Sequence, residues 1–176
     1  MAGASCLFLG GAFLNDAFDA DYDRQYRRTR PIPSGALSAE AALRWGLVWM
    51  ALGAGALLWV GQVPGGLGLT LAACILLYNT VHRVVTFAPA LLGLCRFLLY
   101  LIASTAAAKG LTGWGVWCGV AVGAYVTATA FIARWQKAPA PLSYWPLPLL
   151  GVPIFLALLM DSGRYRQDGL LLCAIL

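Results

Sequence analysis

Asp16, Asp19, Asp21 and Asp23 are followed by Arg24, Arg27, Arg28 and Arg30, all within the stretch NDAFDADYDRQYRRTRPIPSG from Asn15 to Gly35. On a helix turning about 100° per residue, Asp16, Asp19 and Asp23 fall at roughly 0°, 300° and 340°, whereas Asp21 falls near 140°. Three carboxylates sharing one face repel one another in a partly desolvated setting unless a cation neutralises them. Such an oxygen-rich set suits Mg²⁺, which keeps several waters and bridges a few carboxylates to substrate phosphates. The expected metal-holding and catalytic residues are therefore Asp16, Asp19 and Asp23. Asn15 adds an amide oxygen, and Arg27, at roughly 20° on the same wheel, meets a phosphate directly if the helix reaches that far. Spacing alone leaves a plainer alternative open, a solvated interfacial loop whose charges pair in passing. Acidic residues contribute little to membrane orientation, so four of them beside a rigid turn call for another reason.

The residue before a proline avoids the helical region. The chain is thus expected to leave its helix at Arg30, with Pro31 and Pro33 fixing an extended turn closed by Ser34 and Gly35. That turn returns Arg28 and Arg30 toward the carboxylate face.

The elements that must position these groups are membrane helices. Hydrophobic residues make up 61% of the 176 and charged residues 11%, with a mean hydropathy of +0.77, more apolar surface than a soluble domain of this length could cover. Segments 40–60, 66–81, 87–108, 111–133 and 144–160 are each suited to crossing roughly 30 Å of hydrocarbon. The runs Ala2 to Leu14 and Gly169 to Leu176 are too short to span alone and read as partial helices. The expected fold is all-α, a multi-pass transmembrane bundle of about five complete helices plus partial ones at both termini. Residues 1–176 form a single incomplete domain in this reading, truncated at both ends. Gly115, Gly119 and Gly123 recur every four residues and mark a packing stripe. Pro146, Pro148 and Pro153 predict a late start or a kink near Pro153 in the last span.

The net charge of +5 sits mostly on arginines in short connections. It suits orientation in the bilayer and contact with anionic head groups or phosphates; no exposed basic face suggests nucleic acid. Placing the 15–39 loop in the cytoplasm puts Arg24, Arg27, Arg28, Arg30, Arg83, Arg134 and Lys137 inside, against Lys109, Arg164 and Arg166 outside. This agrees with the positive-inside rule. The first, third and fifth connections then face one surface and can roof one site. Asp161 and Asp168 fall on the opposite surface, as a solvated loop. Cys6, Cys74, Cys95, Cys118 and Cys173 are scattered singly in apolar stretches and read as packing residues.

His82 and Arg83 end a span, where they either satisfy its last carbonyls and snorkel to head groups or bind substrate. Arg96, about nine residues into its span, is costly to bury and is a candidate for substrate contact. Tyr78, Asn79, Tyr100 and Tyr125 are pocket candidates, although such residues more often pack or bond across helices.

Asn15, Asp16, Asp19 and Asp23 followed by Arg30 to Gly35 resemble the first aspartate-rich motif of the UbiA superfamily of intramembrane prenyltransferases, NDxxDxxxD and then RPIPSG. Leu77 to Leu101 is similar to the family's Tyr-x-x-x-Lys-Arg stretch and the helix after it, and the similarity persists weakly to about Arg134. The resemblance implies Mg²⁺-dependent transfer of a polyprenyl group from an allylic diphosphate to a lipophilic or aromatic acceptor within the bilayer. It makes Asp16, Asp19 and Asp23, with Asn15, metal and diphosphate residues, and Arg30 and Arg83 possible diphosphate partners. A CDP-alcohol phosphotransferase, another bundle with aspartate-rich sites, is disfavoured because Asp19 and Asp23 lack that family's DG pair and preceding glycine.

Two departures stand out. His82 occupies the position of the family's lysine, a weaker clamp at neutral pH. Thr127 to Pro141, TATAFIARWQKAPAP, has no acidic residue where a second aspartate motif is expected, a loss in which the chain resembles the EboC-like branch of the family. The competing expectation is therefore a non-catalytic membrane protein that binds an isoprenoid diphosphate or lipid through the surviving motif.

Overall fold

The apolar run from Ala2 and the acidic stretch after it form one continuous helix, α1 (Ala2–Tyr26), in the computed structural model, which describes residues 2–108, 110–135 and 144–160. Nothing in this segment breaks it, since it has no proline and no β-branched residue. Twenty-five residues at about 1.5 Å each reach roughly 37 Å. The apolar half is therefore not a separate fragment; it is the stem that carries the aspartates to one end of the bundle.

The helix stops at Tyr26, four residues short of the expected exit at Arg30. The next segment is also not extended. Arg30 N–H donates to Arg27 C=O (3.1 Å), Ser34 N–H to Arg30 C=O (3.0 Å) and Leu37 N–H to Pro31 C=O (3.1 Å), so the prolines open compact turns. Ile32 is buried with Ala20 and Ala42, which pins these turns against α1 and α2. Gly35, at φ +81°, takes a conformation that residues with a Cβ rarely adopt.

Ser38 caps α2 (Ala39–Val60), its hydroxyl accepting from the Ala41 N–H at 3.1 Å. A single residue, Gly61, joins α2 to α3 (Gln62–Val81). The expected connection over 61–65 shrinks because Pro64 lies in the first turn of α3, where its missing N–H costs nothing. α4 (Ala88–Ala108) and α5 (Gly113–Trp135) follow. Four helices among the described residues are long and apolar enough to cross a membrane, α2 to α5. The fifth expected span, 144–160, is instead divided into α6 (Leu147–Leu150) and α7 (Val152–Met160). The break falls at Gly151, just ahead of Pro153, whose ring and missing N–H prevent a continuous helix there. Residues 169–176 lie outside the described residues, as do Asp161, Asp168 and Cys173. The described residues contain helices and no strand.

α1 packs on α2 and α3, α3 on α2 and α4, and α4 on α5, with α6 and α7 against α5. Leu7, Leu14, Met50, Leu57, Leu71, Leu98 and Ile102 meet in the centre. In lipid, helices gain little from hiding apolar surface from one another, so close backbone approach carries the association. A Cβ on Gly10 would lie 2.8 Å from Gly46 C=O across the α1–α2 contact. The expected glycine stripe on α5 faces α4: Cβ atoms at Gly115, Gly119 and Gly123 would meet Ser104, Phe97 and Gly93, respectively. Of the cysteines, Cys95 is buried and Cys6 and Cys74 half-buried, whereas Cys118 is exposed on the outer face of α5, contrary to a packing role.

A Cβ on Gly93 would sit 1.9 Å from Thr127 Oγ1 and 2.5 Å from Gly123 C=O, a clash with fixed backbone. Gly93→Ala is expected to cost about 1–3 kcal/mol and to lower the thermal unfolding midpoint in detergent. Gly66→Ala, with open space around its Cβ, should leave that midpoint unchanged or raise it slightly.

Candidate functional site

The turns after α1, the α3–α4 connection and the last turn of α5 gather at one end of the bundle. Arg83 of the connection reaches Asp19 of α1, and Arg134 of α5 donates to the carbonyls of His82 (3.2 Å) and Val85 (2.9 Å). The first and third connections and the end of α5 thus share one end, as the alternation of spans requires.

Helical geometry sorts the four aspartates. Asp23 and Asp19 point inward, their side chains 2% and 11% exposed, and Asp16 lies beside them at 26%. Asp21, on the other side, is 94% exposed and pairs with Arg24 at 2.6 Å. Each inward carboxylate has its own cationic partner. Arg30 donates to Asp16 Oδ1 at 2.9 Å. Arg27, one residue past the helix but still tied to it by its N–H to Asp23 C=O, lies 3.7 Å from Asp23 Oδ1. Arg83 Nη2 lies 2.5 Å and His82 Nε2 3.2 Å from Asp19 Oδ1. Tyr22 steadies both guanidinium groups, with Arg83 4.3 Å and Arg27 5.8 Å from its ring centre. Arg28 is exposed.

A buried carboxylate costs several kcal/mol unless it is paired and hydrogen-bonded. Here pairing is present and hydrogen bonding is incomplete. Asp19 Oδ1 and Asp23 Oδ1 are buried oxygens that accept no aligned hydrogen bond among the described residues. The short Arg83–Asp19 distance is therefore a charge contact whose direction is poor for a hydrogen bond. No group of three or more His, Cys, Asp or Glu side chains converges as a metal cage among the described residues. Mg²⁺, however, commonly takes only one or two carboxylates and completes its shell with water and phosphate. Two unsatisfied oxygens on Asp19 and Asp23 fit that smaller share.

Two cavities flank this cluster. One of about 820 Å³ lies between α1, the α3–α4 connection and α5, and is lined by Asp19, Tyr22, Arg27, Tyr78, His82, Arg83, Leu92 and Arg134 among others. The other, about 270 Å³, lies between α1, α3 and α4, with Phe8, Leu71, Ile75 and Leu99 as apolar walls and Asn15, Asn79 and Arg96 as polar points. Tyr78 and Leu92 belong to the walls of both.

Asn15 lies in the second cavity's wall, donating to Asn79 Oδ1 at 3.2 Å, and Asn79 donates in turn to Gly11 C=O at 3.3 Å. Arg96 stacks over Phe8 at 5.4 Å, and no ion pair joins it to a carboxylate among the described residues. Tyr100 and Tyr125 are exposed. The residue that sequence reading valued too little is Arg134, counted there only for orientation. Its signal was available, since the alternation of spans puts the end of α5 on the surface that carries the aspartates.

The model of the UbiA prenyltransferase family matches residues 1–139. The chain is similar to digeranylgeranylglyceryl phosphate synthases from three organisms. With that of Sulfolobus acidocaldarius it is 28% identical over 73% of this chain and 43% of the relative. With that of Methanoregula boonei the identity is 40% over 39% of this chain and 24% of the relative. The Ignicoccus hospitalis protein is 41% identical over 36% of this chain and 21% of its own length. The chain therefore aligns with less than half the length of these relatives. No solved structure matches it significantly.

Removing Arg83 strands the Asp19 charge in a buried setting. Arg83→Met is expected to destabilise the protein by about 3 kcal/mol, read as a lowered unfolding midpoint in detergent. Adding Asp19→Asn to that variant should restore most of the loss, because no charge is then left uncompensated. Equal losses in the single and double variants would contradict the pairing.

Proposed function

The chain belongs to the UbiA prenyltransferase family, and from that premise we propose that it serves Mg²⁺-dependent transfer of a polyprenyl group from an allylic diphosphate to a lipophilic acceptor in the bilayer. One observation carries this reading: the buried, incompletely satisfied oxygens of Asp19 and Asp23 lie among arginines, and Asp19 stands in the wall of a cavity that shares residues with an apolar one.

In this account Asp19 and Asp23, with Asp16 beside them, hold Mg²⁺. The ion, when bound, offsets charge on the diphosphate oxygens as the carbon–oxygen bond breaks. Arg27 and Arg83, fixed by Tyr22, receive the departing negative charge. Arg30 holds Asp16 in place, and His82 positions Asp19 through its ring while its Nδ1 lies 3.1 Å from Asn79 C=O. Asn15 and Asn79 keep α1 and α3 in register below the acids. Arg96, Phe8 and the apolar walls of the smaller cavity face the lipophilic part of the reaction and keep water from the allylic cation. The relatives' names denote synthesis of a prenylated glyceryl phosphate, which supports a lipophilic acceptor over an aromatic one. The excess of basic residues at this end of the bundle supports a cytoplasmic placement of the site.

A second reading has its own observation. Every inward aspartate already has a cationic partner, and no acidic residue stands in Thr127 to Trp135. A protein that binds an isoprenoid diphosphate without turning it over would have these features too. Pyrophosphate release from a panel of allylic polyprenyl diphosphates separates the two. The transferase reading predicts release that requires Mg²⁺ and falls to background in Asp19→Ala and Asp16→Ala. Tight binding without release would support the second reading, and unchanged release in both variants would contradict the site.

A further inference from the structure

Arg134 is a cation with no carboxylate partner among the described residues. Of the other basic groups lining the larger cavity, Arg83 and His82 share Asp19, and Arg27 is paired with Asp23. Arg134 has only carbonyl partners, because its Nη1 spends both protons on His82 C=O and Val85 C=O. These two bonds come from the α3–α4 connection and hold the guanidinium at the cavity wall. They leave the Nε–Nη2 edge without a partner among the described residues, a planar pair of donors that suits phosphate oxygens.

The same wall has no acid to offer. Residues 127–135 of α5 contain no aspartate or glutamate, and among the described residues Asp19 is the only carboxylate that lines the cavity. A divalent cation held at the α5 side would face an uncompensated guanidinium and no oxygen ligand. An anion there meets a fixed, unused pair of N–H donors.

We propose that Arg134 is a phosphate-binding residue, which supplies from α5 the positive charge that a second divalent ion would supply, so that a diphosphate group is held with one metal ion. This rests on the reading of the cavity as a diphosphate site. The carbonyl bonds of Arg134 pre-position it and are not its whole purpose.

The test uses the 176-residue chain in detergent with inorganic pyrophosphate and Mn²⁺, whose electron paramagnetic resonance counts bound ions. The wild-type chain is expected to hold one Mn²⁺ per pyrophosphate. Arg134→Gln, whose amide can still donate to a carbonyl, should bind pyrophosphate at least tenfold more weakly at saturating Mn²⁺. Arg134→Lys, which keeps the charge and loses the planar pair, should fall between. Two ions per pyrophosphate, or undiminished affinity in Arg134→Gln, would overturn the proposal. If Arg134→Gln does not fold, the ion count and the lysine variant decide alone, with a count of two or wild-type affinity in the lysine variant overturning it. Binding that depends on Asp19 but not on Arg134 defeats this inference and leaves the diphosphate site standing. No pyrophosphate binding by the wild-type chain defeats both.

Discussion

Carboxylates placed inside the end of a membrane bundle must be neutralised, and the architecture around Asp19 and Asp23 follows from that need. Their cations come from the turn after α1 and from the connection between α3 and α4. Arg27 lies one helical turn from Asp23, much as Arg24 does from Asp21, whereas Arg83 reaches Asp19 across 64 residues and Arg30 reaches Asp16 across 14. The ion pairs therefore tie three segments into one end of the molecule. Because those pairs do not saturate the oxygens, the cluster keeps a capacity for a further positive charge. The same arginines keep a capacity for a negative one. A site balanced in this manner is suited to a metal ion and a phosphate arriving together.

The helices serve this end through close approach. Lipid offers no reward for hiding leucine from leucine, so α1 nests on α2, and α4 on α5, where glycines let backbone meet backbone. That contact fixes the rotation of α1 about its own axis. Rotation in turn decides that Asp19 and Asp23 face inward and Asp21 outward. The packing of small residues far from the acids thereby sets the geometry of the acids.

Much of this is legible in the chain itself. A period of 3.6 residues separates Asp21 from its neighbours, hydropathy marks the four long spans, and the alternation of spans brings the first and third connections and the end of α5 to one surface. What sequence reading misjudged has local physical causes. The prolines after Arg30 suggest one extended turn, yet burial of Ile32 folds that segment into compact hydrogen-bonded turns. Pro64 reads as a helix breaker but stands in a first turn, where it is harmless. The segment 144–160 has the composition of a span, and Gly151 with Pro153 divides it. The partners of each aspartate were only partly legible. Arg27 lies on the aspartates' helical face, whereas Arg83 is 64 residues away from Asp19, and only the fold brings those two together. Arg134 escaped notice for the opposite reason: one charge at a helix end looks like an orientation signal until its neighbours are known.

The central claim is that the inward aspartates and the surrounding arginines form one site for a metal ion and a diphosphate. An experimental structure with Mn²⁺ and a non-hydrolysable prenyl diphosphate analogue tests it most directly. The account predicts an anomalous manganese peak against Asp19 and Asp23, phosphate oxygens against Arg83, and the prenyl chain running past Tyr78 and Leu92. Manganese absent from the aspartates, with their arginine pairs intact and the analogue bound elsewhere, would contradict it.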